Sequence, residues 1–149
     1  MFPNSLPSEN LAVLATIDSS AQAAGTLSSG WVDMRKFLSL LALVNVGVFG
    51  ASATVDANLQ QATDNAGTGA KAITGKVITQ LLAAGGNNRQ VAINLRPEQL
   101  DVTNLFAFVR LNVVVGTAAS QTNALVLGVY PRNGLASDFN QAGVAQIVP

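Results

Sequence analysis

The chain has no cysteine and no histidine. Without thiols it forms no disulfide and no thiolate metal site, and its redox compartment is left undetermined. Without imidazole it has neither the base for Ser–His or Cys–His nucleophilic catalysis nor the ligands of a Cys/His zinc centre. Charge is also scarce. Lys and Arg number 8 and Asp and Glu 8, so 11% of residues are charged and the net charge is zero, against about 25% charged in an average soluble domain. Arg35-Lys36 is the one adjacent basic pair. Nucleic-acid binding needs several clustered cations to neutralise phosphates, so no nucleic-acid partner is expected. Long apolar runs are absent as well. The most apolar stretch, Phe37 to Phe49, is 13 residues long, short of the roughly 20 that a membrane-crossing helix requires. Residues 1–10 have no basic start and no apolar core, and do not read as a signal peptide. No membrane partner is expected.

Hydrophobic residues nevertheless make up 49% of the 149 positions. Solubility therefore rests on Asn, Gln, Ser, Thr and Gly, and a weakly charged neutral surface tolerates packing against other protein. At 15.3 kDa the chain reads as one domain that buries about two thirds of its unfolded surface and exposes roughly 7,000 Å².

The clearest periodicity lies at Ser52 to Gln60. Ala53, Val55, Ala57 and Leu59 alternate with Ser52, Thr54, Asp56, Asn58 and Gln60, which sorts apolar and polar side chains onto the two faces of a strand. From Leu38 to Val48 every even position is apolar. With a turn at Gly50-Ala51, the two stretches read as an antiparallel hairpin with one wet face. Further strands are expected at residues 11–17, within 25–34, at 76–82, at 90–96, at 105–116 and at 124–130. Residues 18–25 and 62–75 read as loops, the second anchored by Ile73. Gly85-Gly86-Asn87-Asn88 is a turn. Pro97 to Asn104 is a connection with room for one helical turn, and Pro131 ends the last strand. Seven or eight close-spaced strands and no obligatory long helix predict an all-β fold, an antiparallel β-sandwich of jelly-roll type. The expected organisation is an extended N-terminal arm at 1–10, a sandwich at 11–131 and a C-terminal arm at 132–149.

Chemistry is hard to find. A glycosidase needs two facing carboxyls. Of the eight acidic residues only Glu98 and Asp101 lie close in sequence, within what reads as a solvated connection. The segment Asp64-Asn65-Ala66-Gly67-Thr68-Gly69 offers oxygens to calcium, but it lacks the alternate-position ligands of an EF-hand, and turn chemistry accounts for it equally. The run from Gly69 to Val77 has five residues between its glycines and Val77 after the lysine, which does not meet the phosphate-loop spacing. Phe106, Phe108 and Arg110 share one strand face; the reading is core or intersheet packing, with sugar stacking and a protein interface as the alternatives. No catalytic, cofactor-binding or metal-binding residue is assigned, no cofactor is implied, and no enzyme is expected.

The run V-N-V-G-V-F-G-A-S-A-T-V-D-A-N-L-Q-Q-A-T-D-N-A-G-T-G-A-K-A-I-T-G-K-V-I-T-Q-L at 44–81 resembles small tailed-bacteriophage virion proteins encoded near the major capsid protein, of head decoration or cement type. So do N-L-R-P-E-Q-L-D-V-T-N-L-F-A-F-V-R-L-N-V-V-V-G at 94–116 and L-V-L-G-V-Y-P-R at 125–132. The similarity spans roughly Trp31 to Arg132 and rests on strands and turns, so it carries over no catalytic residue. It implies a virion structural protein on the capsid outer surface. Its expected partners are the major capsid protein and further copies of itself, as a dimer or trimer. A neck or tail component and a glycan-binding module on the virion are the alternatives. The two arms are the expected contacts, with the polar hairpin faces second.

Overall fold

The computed structural model describes residues 4–149; Met1 to Pro3 of the expected N-terminal arm lie outside the described residues. Its strands are β1 (Leu11–Gln22), β2 (Gly25–Ser28), β3 (Val32–Asp33), β4 (Phe37–Val46), β5 (Thr54–Ala62), β6 (Lys71–Val77), β7 (Leu81–Leu82), β8 (Arg89–Leu95), β9 (Phe108–Gly116) and β10 (Ser120–Pro131). One sheet has the order β1-β10-β4-β8. The other has the order β2-β9-β5-β6, with β3 added on β9 and β7 on β5.

Set the two-residue strands aside, and eight strands remain. Their pairs are first with last (β1 with β10), second with seventh (β2 with β9), third with sixth (β4 with β8) and fourth with fifth (β5 with β6). All four pairs are antiparallel. This nesting is what one long hairpin produces when it folds across itself into two packed sheets, and it is the jelly-roll.

The expected hairpin at Gly50-Ala51 is corrected by this topology. β4 pairs with β10 and β8, whereas β5 pairs with β9, β6 and β7, so the chain crosses there from one sheet to the other. The alternation itself is real. Leu40, Ala42, Val44 and Val46 of β4 are buried, as are Val55, Ala57 and Leu59 of β5. The two apolar faces meet across the sandwich instead of lying side by side in one sheet.

The core is formed by these residues with Val109, Leu111, Val113 and Val115 of β9, Ala124 and Val126 of β10, and Ile93 and Leu95 of β8. Two segments expected as loops differ. Residues 18–22 continue β1, because Ser20, Ala21 and Gln22 pair with Thr122, Gln121 and Ser120 across a bulge. Residues 71–75 belong to β6, where Ile73 is buried as its anchoring role requires.

Both ends of the described chain lie at one end of the sandwich, where β1 and β4 begin and β8 and β10 end. Pro7–Asn10 forms one helical turn, α1. A second apolar cluster of Ala12, Phe37 and Ala136, flanked by Leu14 and Phe139, gathers there. Phe139 meets Phe37 edge-on with ring centroids 5.3 Å apart. Asn140 Oδ1 accepts a bond from the Val13 amide at 2.8 Å, and the Gln141 amide donates to the Val13 carbonyl at 2.8 Å. The segment after Arg132 thus folds back on the body as far as Gln141. Beyond it, Ile147 and Val148 are exposed.

Gly128 makes this cluster possible. A Cβ there would stand 2.6 Å from Leu14 Cδ1 and 2.7 Å from the Phe37 ring. Gly128→Ala is expected to destabilise the fold by about 1–3 kcal/mol through overpacking, and Leu111→Ala by about 2–5 kcal/mol through a core cavity. Thermal and denaturant unfolding measure both.

Candidate interaction surface

The residues singled out for chemistry all lie near this same end of the sandwich, on β9 and on the connections that lead into it and into β6. The structure ties them up with one another. Arg110 stacks its guanidinium over Trp31, 4.7 Å from the ring centroid, and donates to Gln60 Oε1 from Nε and Nη2 at 3.0 and 2.9 Å. Arg35 lies 5.1 Å from the Phe108 ring and forms a two-pronged pair with Asp33. Lys71 sits 4.2 Å from the Phe106 ring and bonds the Asp101 carboxylate. Each ring proposed for sugar stacking therefore carries a cation of this chain on it, an arrangement favourable by about 0.5–1 kcal/mol at exposed sites.

Glu98 and Asp101 do not form a catalytic pair. Glu98 is exposed and 4.0 Å from Arg96. Asp101 is held by Lys71 and Asn104, which keep its carboxyl below the ordinary 3.8. A general acid needs the opposite shift. The Asp64 segment is a turn. Asp64 Oδ1 accepts from the amides of Ala66 and Thr68, both at 3.0 Å, and Thr68 is the main cause of its lowered pKa. Gly67 has φ +88, and a side chain there would strike the Trp31 ring at 2.8 Å, so this turn is the seat of Trp31. Among the described residues no three acidic side chains gather as metal ligands.

Beside these charged groups, this end also presents apolar side chains outward. Val102 and Leu105 are 59% and 79% exposed, beside a cavity of about 260 Å³ lined by Met34, Pro97, Leu100, Val102 and Phe106 together with Arg132. On the other side of Arg132 lie Leu6, Leu38, Tyr130 and Leu135, all exposed. Leu38, Tyr130 and Leu135 rim a second hollow of about 530 Å³ that Ser5 and Asn10 help to line. Leu105 and Tyr130 have φ of +62 and +54. Left-handed backbone costs a side-chain-bearing residue roughly 1–2 kcal/mol, so local packing holds two large apolar residues outward in spite of strain. Sequence reasoning singled out Phe106, Phe108 and Arg110 but missed their partners Lys71, Arg35 and Trp31. It also missed Leu105, whose exposure follows from a backbone angle that no residue pattern announces.

No protein-family model matches the sequence, and no curated protein matches it. Solved structures do. A chain of the T13 infectious bursal disease virus particle aligns with a TM-score of 0.52 at 11% identity, covering 85% of this chain and 32% of that one. This chain therefore spans about a third of that neighbour's length. A chain of broad bean stain virus aligns with a TM-score of 0.48 at 9% identity over 87% of this chain and 90% of that one. The SPBc2 prophage-derived protein YomS aligns with a TM-score of 0.43 at 11% identity over 80% and 94%. At such identity the first likeness shows a shared β-sandwich fold and nothing finer.

Asp33, Asp64 and Asp101 all have lowered pKa values. Their contribution to stability is thus present above the ordinary carboxylate value and is lost as pH falls through the lowered ones. Unfolding temperature is expected to hold steady on acidification down to that range and then to fall. Asp101→Asn should unfold below wild type at neutral pH, and the gap should close as acidification protonates the wild-type Asp101 carboxyl. Melting curves across pH test this; a gap that persists at the acid limit would assign Asp101 a different role.

Proposed function

We propose that the chain is a bacteriophage virion structural protein, a decoration or cement protein that binds the major capsid shell on its outer surface and bridges capsomers. The observation that carries this reading is the nested eight-strand topology, whose fold is shared with a chain of a viral particle. Three features of the molecule support it. The residues with chemical potential are spent on internal pairs. Exposed Leu6, Leu38, Val102, Leu105, Tyr130 and Leu135 lie at the end of the sandwich where β1 begins and β10 ends, while Val48, Val77, Leu82 and Val114 are exposed elsewhere. The chain exposes 8016 Å², more than the roughly 7,100 Å² expected of a folded monomer of this mass.

In this reading the terminal end faces the shell. Leu105, Val102 and Leu135 provide apolar contact, and Ile147 and Val148 of the free tail lie across a neighbouring subunit. Burying such side chains is favourable by about 25 cal/mol per Å² of apolar surface, offset by the cost of ordering the tail. A glycan-binding role has less support, because Phe106, Phe108 and Trp31 already carry cations of the chain. A neck or tail component remains the second structural reading, since it needs the same adhesive end, and copy number per particle separates the two.

The test is co-sedimentation of the purified chain with heads of the phage that encodes it, from which any native copy has been stripped. Saturable binding at a copy number comparable to the major capsid protein is expected. Deleting residues 142–149 should leave the unfolding temperature unchanged and weaken binding at least several-fold. Leu105→Gly should raise stability by about 1 kcal/mol through relief of the left-handed strain and should also weaken binding. Heads that take up none of the wild-type chain would overturn the proposal. Uptake of only a ring's worth of copies would favour the neck.

A further inference from the structure

Four strands end the two sheets, namely β1 and β8 in one, β2 and β6 in the other. An unpaired strand edge is a template for another strand, and soluble proteins blunt it with charges, bulges, shortness or a covering segment. Three of these edges are blunted. β1 is broken by two register shifts, and its Val13 amide and carbonyl are both taken by the C-terminal segment. β2 has four residues. β6 carries Lys71 and Lys76, has Gly75 at φ +75 and loses register against β5.

β8 has none of these devices along its middle; its charges, Arg89 and Arg96, and Pro97 stand at its two ends. It holds seven consecutive residues in unbroken register with β4, from Leu40↔Leu95 to Val46↔Arg89. Between Gln90 and Leu95 there is no charge, proline or glycine. Among the described residues no strand lies on its outer side. Beside it a groove of about 400 Å³ runs between β8 and β6, lined by Val77, Ile78, Val91 and Ile93, and Val77 is 64% exposed at its mouth.

We infer that β8 pairs antiparallel with β8 of a second copy, about a two-fold axis at Ala92, joining two four-stranded sheets into one of eight. The sequence of the strand is complementary to itself in that register. Val91 falls opposite Ile93 on the core-facing side, so the apolar face continues across the axis. Gln90 falls opposite Asn94 on the other side, where two amides bond. Ala92 meets Ala92, small enough for close approach. Arg89 falls opposite Leu95 and Arg96 opposite Asn88, so no charge directly faces its like. An isologous contact of this kind closes on itself and stops at a dimer, and strand addition supplies main-chain bonds with no new core. The inference uses this chain alone and does not need the virion reading. A dimer that ignores phage heads would retire that reading and leave this one, and a monomer that coats them would do the reverse.

The full chain has no native cysteine, which makes trapping clean. Antiparallel partners have Cα atoms about 4.5 or 5.5 Å apart, within the span of a disulfide. Ala92→Cys is therefore expected to form a covalent dimer under mild oxidation, and Thr74→Cys on the blunted β6 edge is not. Wild type should sediment at twice the chain mass. Ala92→Glu and Ala92→Lys should each sediment as monomers with unchanged circular dichroism, and an equimolar mixture of the two should recover the dimer. A wild type that stays monomeric at high concentration, or an Ala92→Glu variant that stays dimeric, would overturn the inference.

Discussion

The meeting of two apolar sheet faces is the constraint on which the rest of this molecule depends. β4 and β10 bring Leu40, Ala42, Val44, Ala124 and Val126 to one side, and β5 and β9 bring Val55, Ala57, Leu59, Leu111 and Val113 to the other. Each strand spends every second residue on that contact. The remaining residues are left for the surface, where they are polar but seldom charged. With no cysteine to form a disulfide, the chain relies on this one layer for its order. The same contact fixes the topology, because the nested pairs bring their apolar sides together only when the long hairpin rolls over on itself.

A core built this way leaves the periphery free to serve as contact surface. The end of the sandwich where β1 begins and β10 ends combines exposed Leu105, Val102, Tyr130 and Leu135 with two shallow hollows. Its aromatic and basic residues pair among themselves, with Arg110 on Trp31 and Lys71 on Phe106. Such pairing stiffens the surface without preparing it for reaction: the carboxylates with shifted pKa values move in the direction of structural ion pairs and turn caps.

Much of the fold was legible in the residues, for identifiable reasons. Alternation at 52–60 and 105–116 marks strands with one buried face; β5 covers Thr54–Ala62, and β9 begins only at Phe108, because Leu105 takes a left-handed backbone that no strand allows. The turn at Gly50-Ala51 was legible as a turn but not as a crossing, because the same turn residues serve a hairpin and a jump between sheets. The choice between them is made by the partners of β4, distant in sequence: Leu40 pairs with Leu95 of β8, and Phe37 with Pro131 of β10. The polar end of β1, Asp18 to Gln22, reads as a loop by composition and becomes a strand only because β10 extends alongside it. The surface was less legible still. Phe106 and Phe108 stood out as aromatics, but Lys71 and Arg35 reach them through the sheet, and Leu105 is turned outward by its own backbone.

A residue-resolution image of the intact particle that carries this chain tests the account most directly. The account predicts many copies of an eight-stranded jelly-roll on the outside of the head, with the terminal end against the shell. A particle lacking this density, or one in which the chain closes around a bound sugar or metal and leaves its apolar end in solvent, would contradict it.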